Sequence, residues 1–141
     1  MNISDFMKNY QPCSDSRKWI KEADIKTTEE AWNKCQRGDW LIWFLSKAKY
    51  DKKGIIKISC DIIRHQPIGD GKTVWSLLTN MKLRNAIEEV ELWCEGNTAV
   101  VSVAVYDAVA ADAVADYTAA KQWQADYIRS KIAYSQINIE D

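Results

Sequence analysis

Side chains able to do chemistry are few in this 141-residue sequence, and they are widely spaced. The only histidine, His65, follows Cys60 by five residues, and a thiol beside an imidazole is the pairing that makes a cysteine nucleophilic. Five residues along one helix turn the second side chain about 140° away from the first, so the two meet only across a bend. A solvent-facing histidine at a helix end is the expected arrangement. Gly71-Lys72-Thr73 matches the end of a phosphate-binding loop, but the full pattern needs a glycine five residues before Gly71, where Gln66 stands. A plain flexible loop carrying a lysine accounts for these residues.

Carboxylates are grouped at Glu88, Glu89 and Glu91, and again at Asp112 and Asp116. General acid–base work needs carboxyls in a cleft that separates their pKa values, whereas helical spacing puts these on solvent-facing sides. Their other use is docking into a basic protein groove, where carboxylates speed association and set specificity. Cys13, Cys35, Cys60 and Cys94 contain no C-x-x-C pair, so they do not form a zinc pattern, and buried free thiols are expected. No catalytic residue, cofactor site or metal site is expected.

Apolar residues make up 47% of the chain and charged ones 28%, which is ordinary for one globular domain spanning 1–141. Net charge is −1 but unevenly placed: residues 1–57 carry twelve Lys/Arg against eight Asp/Glu, and residues 58–141 carry seven against twelve. Neither half has the strong basic excess of a nucleic-acid-binding domain, so direct nucleic-acid binding is not expected. The acidic second half suits a basic partner. Met1 to Tyr10 is polar, unlike a signal peptide, and no run approaches the roughly 18 apolar residues of a membrane span. A cytoplasmic location without membrane association is expected.

The elements that would position these residues are helical. Ala31 to Leu45 holds three of the seven tryptophans, Trp32, Trp40 and Trp43, together with Phe44. Side chains of this size each remove roughly 150–250 Å² from water when buried, so the cluster reads as the centre of the core. Before it, Ser4 is expected to cap a short helix stopped by Pro12, and Ser14 to open a second, Asp15 to Ala23. Thr27 and Glu30 offer a capping box for a third, running through Cys35. Arg37-Gly38-Asp39 spells an integrin-binding tripeptide, but a corner explains the same residues, with Gly38 left-handed and Asp39 capping the next helix.

After the charged turn at Tyr50 to Gly54, Ile55, Ile56, Ile58, Cys60, Ile62 and Ile63 recur at helical spacing, with a strand as the alternative for Ile55 to Ile58. A loop is expected around 65–72. Val74 to Leu78 reads as a short apolar turn, and Thr79 or Asn80 as the cap of a helix from Met81 to Glu95 ended by Gly96. Leu83, Ala86, Ile87, Val90, Trp93 and Cys94 form its inner stripe, and its outer face is acidic. Thr98 to about Tyr134 reads as one long alanine-rich helix, with Ala104, Ala108, Ala111, Ala115 and Ala119 along one face. Residues 135–141 are expected to fray. The expectation is an all-α bundle of about six to seven helices with a Trp-rich core.

The run Ala31-Trp32…Cys35…Arg37-Gly38-Asp39-Trp40-Leu41…Trp43, preceded by Pro12-Cys13 and Trp19, resembles the Imm-5-like immunity protein family of phages and bacterial mobile elements. Leu83-Arg84-Asn85-Ala86-Ile87-Glu88…Trp93…Gly96 and Gln124-Ala125-Asp126-Tyr127-Ile128-Arg129 are similar to two further stretches of that family. The resemblance implies a small helical protein that acts by binding another protein and carries no catalytic residues to transfer. Two partners follow from it. One is a CRISPR effector nuclease, with the Cas9 type as a candidate, blocked by an anti-CRISPR inhibitor whose Glu88, Glu91, Glu95, Asp112 and Asp116 stand in for phosphates. The other is a cognate bacterial toxin neutralised by an immunity protein. Trp75 or Trp123 is a candidate interface anchor in either case.

Overall fold

A computed structural model describes residues 1–79, 81–94 and 117–139. Eight α-helices are present among them: α1 (Ile3–Tyr10), α2 (Ser14–Glu22), α3 (Thr28–Lys34), α4 (Gly38–Lys47), α5 (Lys52–His65), α6 (Val74–Leu77), α7 (Met81–Cys94) and α8 (Tyr117–Lys131). A two-stranded antiparallel hairpin, β1 (Pro67–Gly69) and β2 (Lys72–Thr73), separates α5 from α6, and a 3-10 turn at Tyr134–Gln136 follows α8. The architecture is all-α, as the apolar periodicity requires.

Helix starts follow capping chemistry, though not always at the expected residue. Asn2 rather than Ser4 caps α1, because its Oδ1 accepts from the Ser4 amide at 2.7 Å. Thr27 caps α3 by accepting from the Glu30 amide at 3.1 Å, and the Glu30 carboxylate reaches one residue beyond the cap to accept from the Lys26 amide at 2.9 Å. Asp51 caps α5 by accepting from the Gly54 amide at 3.0 Å. Here the charged turn expected at Tyr50 to Gly54 is the first turn of the helix.

The corner at Arg37-Gly38-Asp39 is built differently from its expected form. Arg37 occupies the cap position of α4, and Asp39 lies in the first turn without capping it. Gly38 is not left-handed; it is helical, and its role is close approach to α8. A Cβ there would lie 2.4 Å from Gln124 Cβ and 3.2 Å from the Ala125 backbone nitrogen. Only hydrogen in place of a side chain lets the two helices cross at this distance. The crossing is then fastened by charge, with Asp39 accepting from Arg37 at 2.7 Å and from Lys121 of α8 at 2.7 Å. Burial raises the Asp39 carboxyl, but its hydrogen bonds and the charges of Arg37 and Lys121 outweigh that, leaving its pKa below the usual carboxylate value.

Helix α5 is the shared wall of two cores. Ile58 and Ile62 face a larger cluster with Phe6, Trp32, Leu45 and Ile128, whereas Ile56, Cys60 and Ile63 face a smaller one with Val74, Ile87 and Val90. A helix apolar on two sides has to be covered on both, which is why helices from both ends of the chain pack on α5. Its C-terminus is anchored by the buried Gln66, whose Oε1 accepts from Gln124 Nε2 at 2.8 Å.

Several expectations for the linking segments change. Residues 67–73 form a hairpin rather than a loop; Asp70 (φ 52) and Gly71 (φ 71) make its turn, since two left-handed residues in succession match the twist of paired strands. Helix α8 ends at Lys131, short of Tyr134. The segment expected to fray is docked as far as Ile139: Ile137 is buried, Ile139 packs against the larger core, and the Tyr134 hydroxyl lies 2.6 Å from the Thr28 hydroxyl. Ala104, Ala108, Ala111 and Ala115 lie outside the described residues, as does the helix end expected at Gly96. No described helix is long and apolar enough to cross a membrane.

Candidate functional site

The acidic face begins with α7, which is held against α5 by one charged pin. Arg64 of α5 grips Glu91 through two hydrogen bonds of 2.7 Å, and its guanidinium lies 4.1 Å from the centre of the Trp75 ring. Hydrogen bonding to Glu91 raises the Arg64 pKa further above its ordinary value. Arg84 approaches the same ring at 5.0 Å and donates to the Trp75 carbonyl at 3.1 Å. Trp75 is half-buried and engaged by two arginines within the fold. Trp123 is half-buried and stacks on Tyr127 with centroids 5.0 Å apart.

The five carboxylates expected to bind a partner do not form one set. Glu88 is exposed on α7 and Glu91 is committed to Arg64, while Glu95, Asp112 and Asp116 lie outside the described residues. Glu89, which was not among the five, is exposed beside Glu88. Met81, Asn85, Glu88 and Leu92 recur at intervals of four, three and four, which keeps them within an arc of about 60° on the helix surface. Met81 is 62% and Leu92 48% exposed, and Leu77 at the end of α6 is 50% exposed. The outward side of α7 thus presents carboxylates at its middle and large apolar side chains at both ends. The apolar pair was legible in the sequence by the same periodicity that picked out the inner stripe.

The residues considered for nucleophilic or phosphate chemistry are kept apart. Cys60 is fully buried, and burial, with the nearby negative charge of Glu91, pushes its thiol up to about 12. His65 is exposed at the end of α5, with its ring 6.3 Å from that of Tyr127. An interior thiol and a surface imidazole cannot act as a pair. Gly71-Lys72-Thr73 belongs to the hairpin, and the four-residue α6 that follows is too short to offer a phosphate a helix dipole.

Of the four thiols, Cys35 and Cys60 are buried as expected, Cys94 is half-buried, and Cys13 is exposed. A hydrogen bond with Ser16 lowers the Cys13 pKa, whereas burial raises those of Cys35 and Cys94. Thiolate is the reactive form, so iodoacetamide at pH 8 is expected to label Cys13 first, with Cys35 and Cys60 labelled only as fast as the protein unfolds. Peptide mapping by mass spectrometry at timed intervals reads the order. Labelling of Cys60 as fast as Cys13 would contradict the placement of α5.

The tryptophan cluster is only partly the solid core centre that its density suggested. Trp32 is buried, but Trp19, Trp40 and Trp43 are half-buried. With Phe6 and Phe44 they wall an open cleft of about 400 Å³ between α1, α2, α3 and α4, rimmed by Cys13, Asp15, Arg37 and Asp39. Trp19 and Trp40 face each other with centroids 5.9 Å apart, and Arg37 covers Trp40 at 4.4 Å. Comparison of the chain with protein-family models, with curated proteins and with solved structures finds no match.

Proposed function

We propose that this protein is a non-catalytic inhibitor that covers a basic groove of a partner protein with the outward side of α7, and that the partner is a bacterial defence nuclease disabled on behalf of a phage or mobile element. The observation that carries this reading is the exposed stripe of Met81, Glu88 and Leu92, with Glu89 beside it. Apolar side chains give such a contact its affinity, and carboxylates give it speed and register on a basic surface. Glu88 and Glu89 stand where phosphates of bound nucleic acid would stand in the partner's channel. Glu91 is left out of that set, because docking it would break the pair with Arg64.

A Cas9-type effector is the first partner to test, since its channel for the guide–target duplex is positively charged. Tagged protein is mixed with effector and guide RNA in bacterial lysate, recovered, and the retained material is assayed for DNA cleavage. Retention with lost cleavage is expected. Failure of the effector to be retained, with cleavage undiminished, would overturn the nuclease reading, and a one-to-one complex with a toxin encoded beside the gene would replace it with the immunity-protein reading.

A further inference from the structure

We infer that the tryptophan cleft is a binding site for a small uncharged aromatic molecule, separate from the α7 surface. Its volume of about 400 Å³ falls within the range of small-molecule sites, and its walls are aromatic faces and edges from four helices. A flat ring gains most from such walls, through offset and edge contacts added to the removal of apolar area from water.

The polar groups around the cleft decide what the ligand carries. The hydroxyls and the thiol in its depth are already satisfied by the protein. The Ser16 hydroxyl donates to the Cys13 carbonyl at 2.8 Å, the Thr28 hydroxyl contacts the Met1 carbonyl at 3.2 Å and the Tyr134 hydroxyl at 2.6 Å, and the Cys35 thiol donates to the Arg37 carbonyl at 3.5 Å. A polar group inserted among them would lose its water and find these groups already engaged. At the rim, Asp39 is neutralised by Arg37 and Lys121, and Arg37 is also stacked on Trp40. That network offers neither sign of charge a vacant counter-charge, and Asp15, the remaining charge on the lining, is exposed to water, which screens its pull on a cation. An uncharged ring system is the class of ligand that fits both levels.

Indole is a suitable probe, with tryptamine as its cationic analogue and indole-3-acetate as its anionic one. With only the protein labelled with nitrogen-15, the side-chain N–H signals of the seven tryptophans report binding directly. Indole is expected to shift Trp19, Trp32, Trp40 and Trp43 saturably while leaving Trp75 and Trp93 in place, and both charged analogues to bind about tenfold more weakly. Ala31 lines the cleft, so Ala31→Leu, or the smaller Ala31→Val, should weaken indole binding by filling it. Absence of saturable shifts, equal shifts at Trp75 and Trp93, or tighter binding of either charged analogue would overturn the assignment.

Discussion

Replacing Trp32 with alanine is expected to destabilise the protein by about 3–5 kcal/mol, the usual range for deleting a buried tryptophan. The side chain is 2% exposed, packs against Phe44 with centroids 5.8 Å apart, and forms the floor beneath the half-buried Trp19, Trp40 and Trp43. Its neighbours cannot collapse into the space, because α3 is tied on both sides. Arg129 of α8 donates to the Trp32 carbonyl at 3.0 Å and to the Cys35 carbonyl, and Thr28 is bonded to Met1 and Tyr134. Against a typical total stability of about 5–15 kcal/mol, that loss is large. Trp40→Ala removes a ring that already meets water and should cost distinctly less. Urea unfolding of both variants followed by circular dichroism reads the difference, and equal losses would mean that Trp32 is not the floor of the cluster.

Gly38→Ala is the second large effect, and its sign runs against helix propensity. Alanine favours a helix by about 1 kcal/mol over glycine, so an isolated α4 would gain from the change. In the folded protein the new Cβ would lie 2.4 Å from Gln124 Cβ and 3.2 Å from the Ala125 nitrogen, and neither atom is the far end of a flexible side chain. The two helices must separate, which costs about 2–3 kcal/mol in a packed interior and stretches the Lys121–Asp39 and Gln124–Gln66 contacts. A lowered urea midpoint with an unchanged slope is expected. An unchanged or raised midpoint would show that α4 and α8 do not cross at Gly38.

These two residues also mark how far the sequence could be read. The periodicity that makes α5 and α7 is local, so their register and inner faces are legible in the order of isoleucines, valines and charged residues. The Thr27 cap is legible for the same reason, since its partners lie within four residues. Gly38 is not legible in that way. Its reason is Gln124, 86 positions away, and the local alternative of a left-handed corner satisfies the same tripeptide. Likewise Tyr134, the expected end of the long helix, lies in a 3-10 turn beyond it and meets Thr28 across 106 residues, a contact that helical periodicity does not report.

The candidate site divides along the same line. Helical spacing alone puts Glu88 outside, and the structure leaves it there. Glu91 also reads as an outer residue, yet Arg64 of α5 takes it, a pairing that depends on which side of α5 receives α7. The aromatic density of residues 31–45 signals packing but not shape. Whether four tryptophans close over one another or hold a cleft open depends on how α1 and α2 meet α4, and nothing within one helix encodes that. Asp70-Gly71 is legible locally, because a left-handed pair between short extended runs specifies a hairpin.

Charge reversal on α7 separates inhibition through this face from inhibition through any other surface. In a DNA-cleavage assay with a Cas9-type effector, the Glu88→Lys/Glu89→Lys double variant is compared with the native chain and with Asp5→Lys, an exposed change on α1. Thermal unfolding is followed in parallel, because Glu88 also lends its charge to Arg64; both carboxylates are exposed and the Arg64–Glu91 hydrogen bonds remain, so stability should stay within about 1 kcal/mol. Inhibition by the native chain and by Asp5→Lys is expected, with loss of inhibition in the double variant at little-changed stability. Inhibition that survives the reversal would contradict docking through α7.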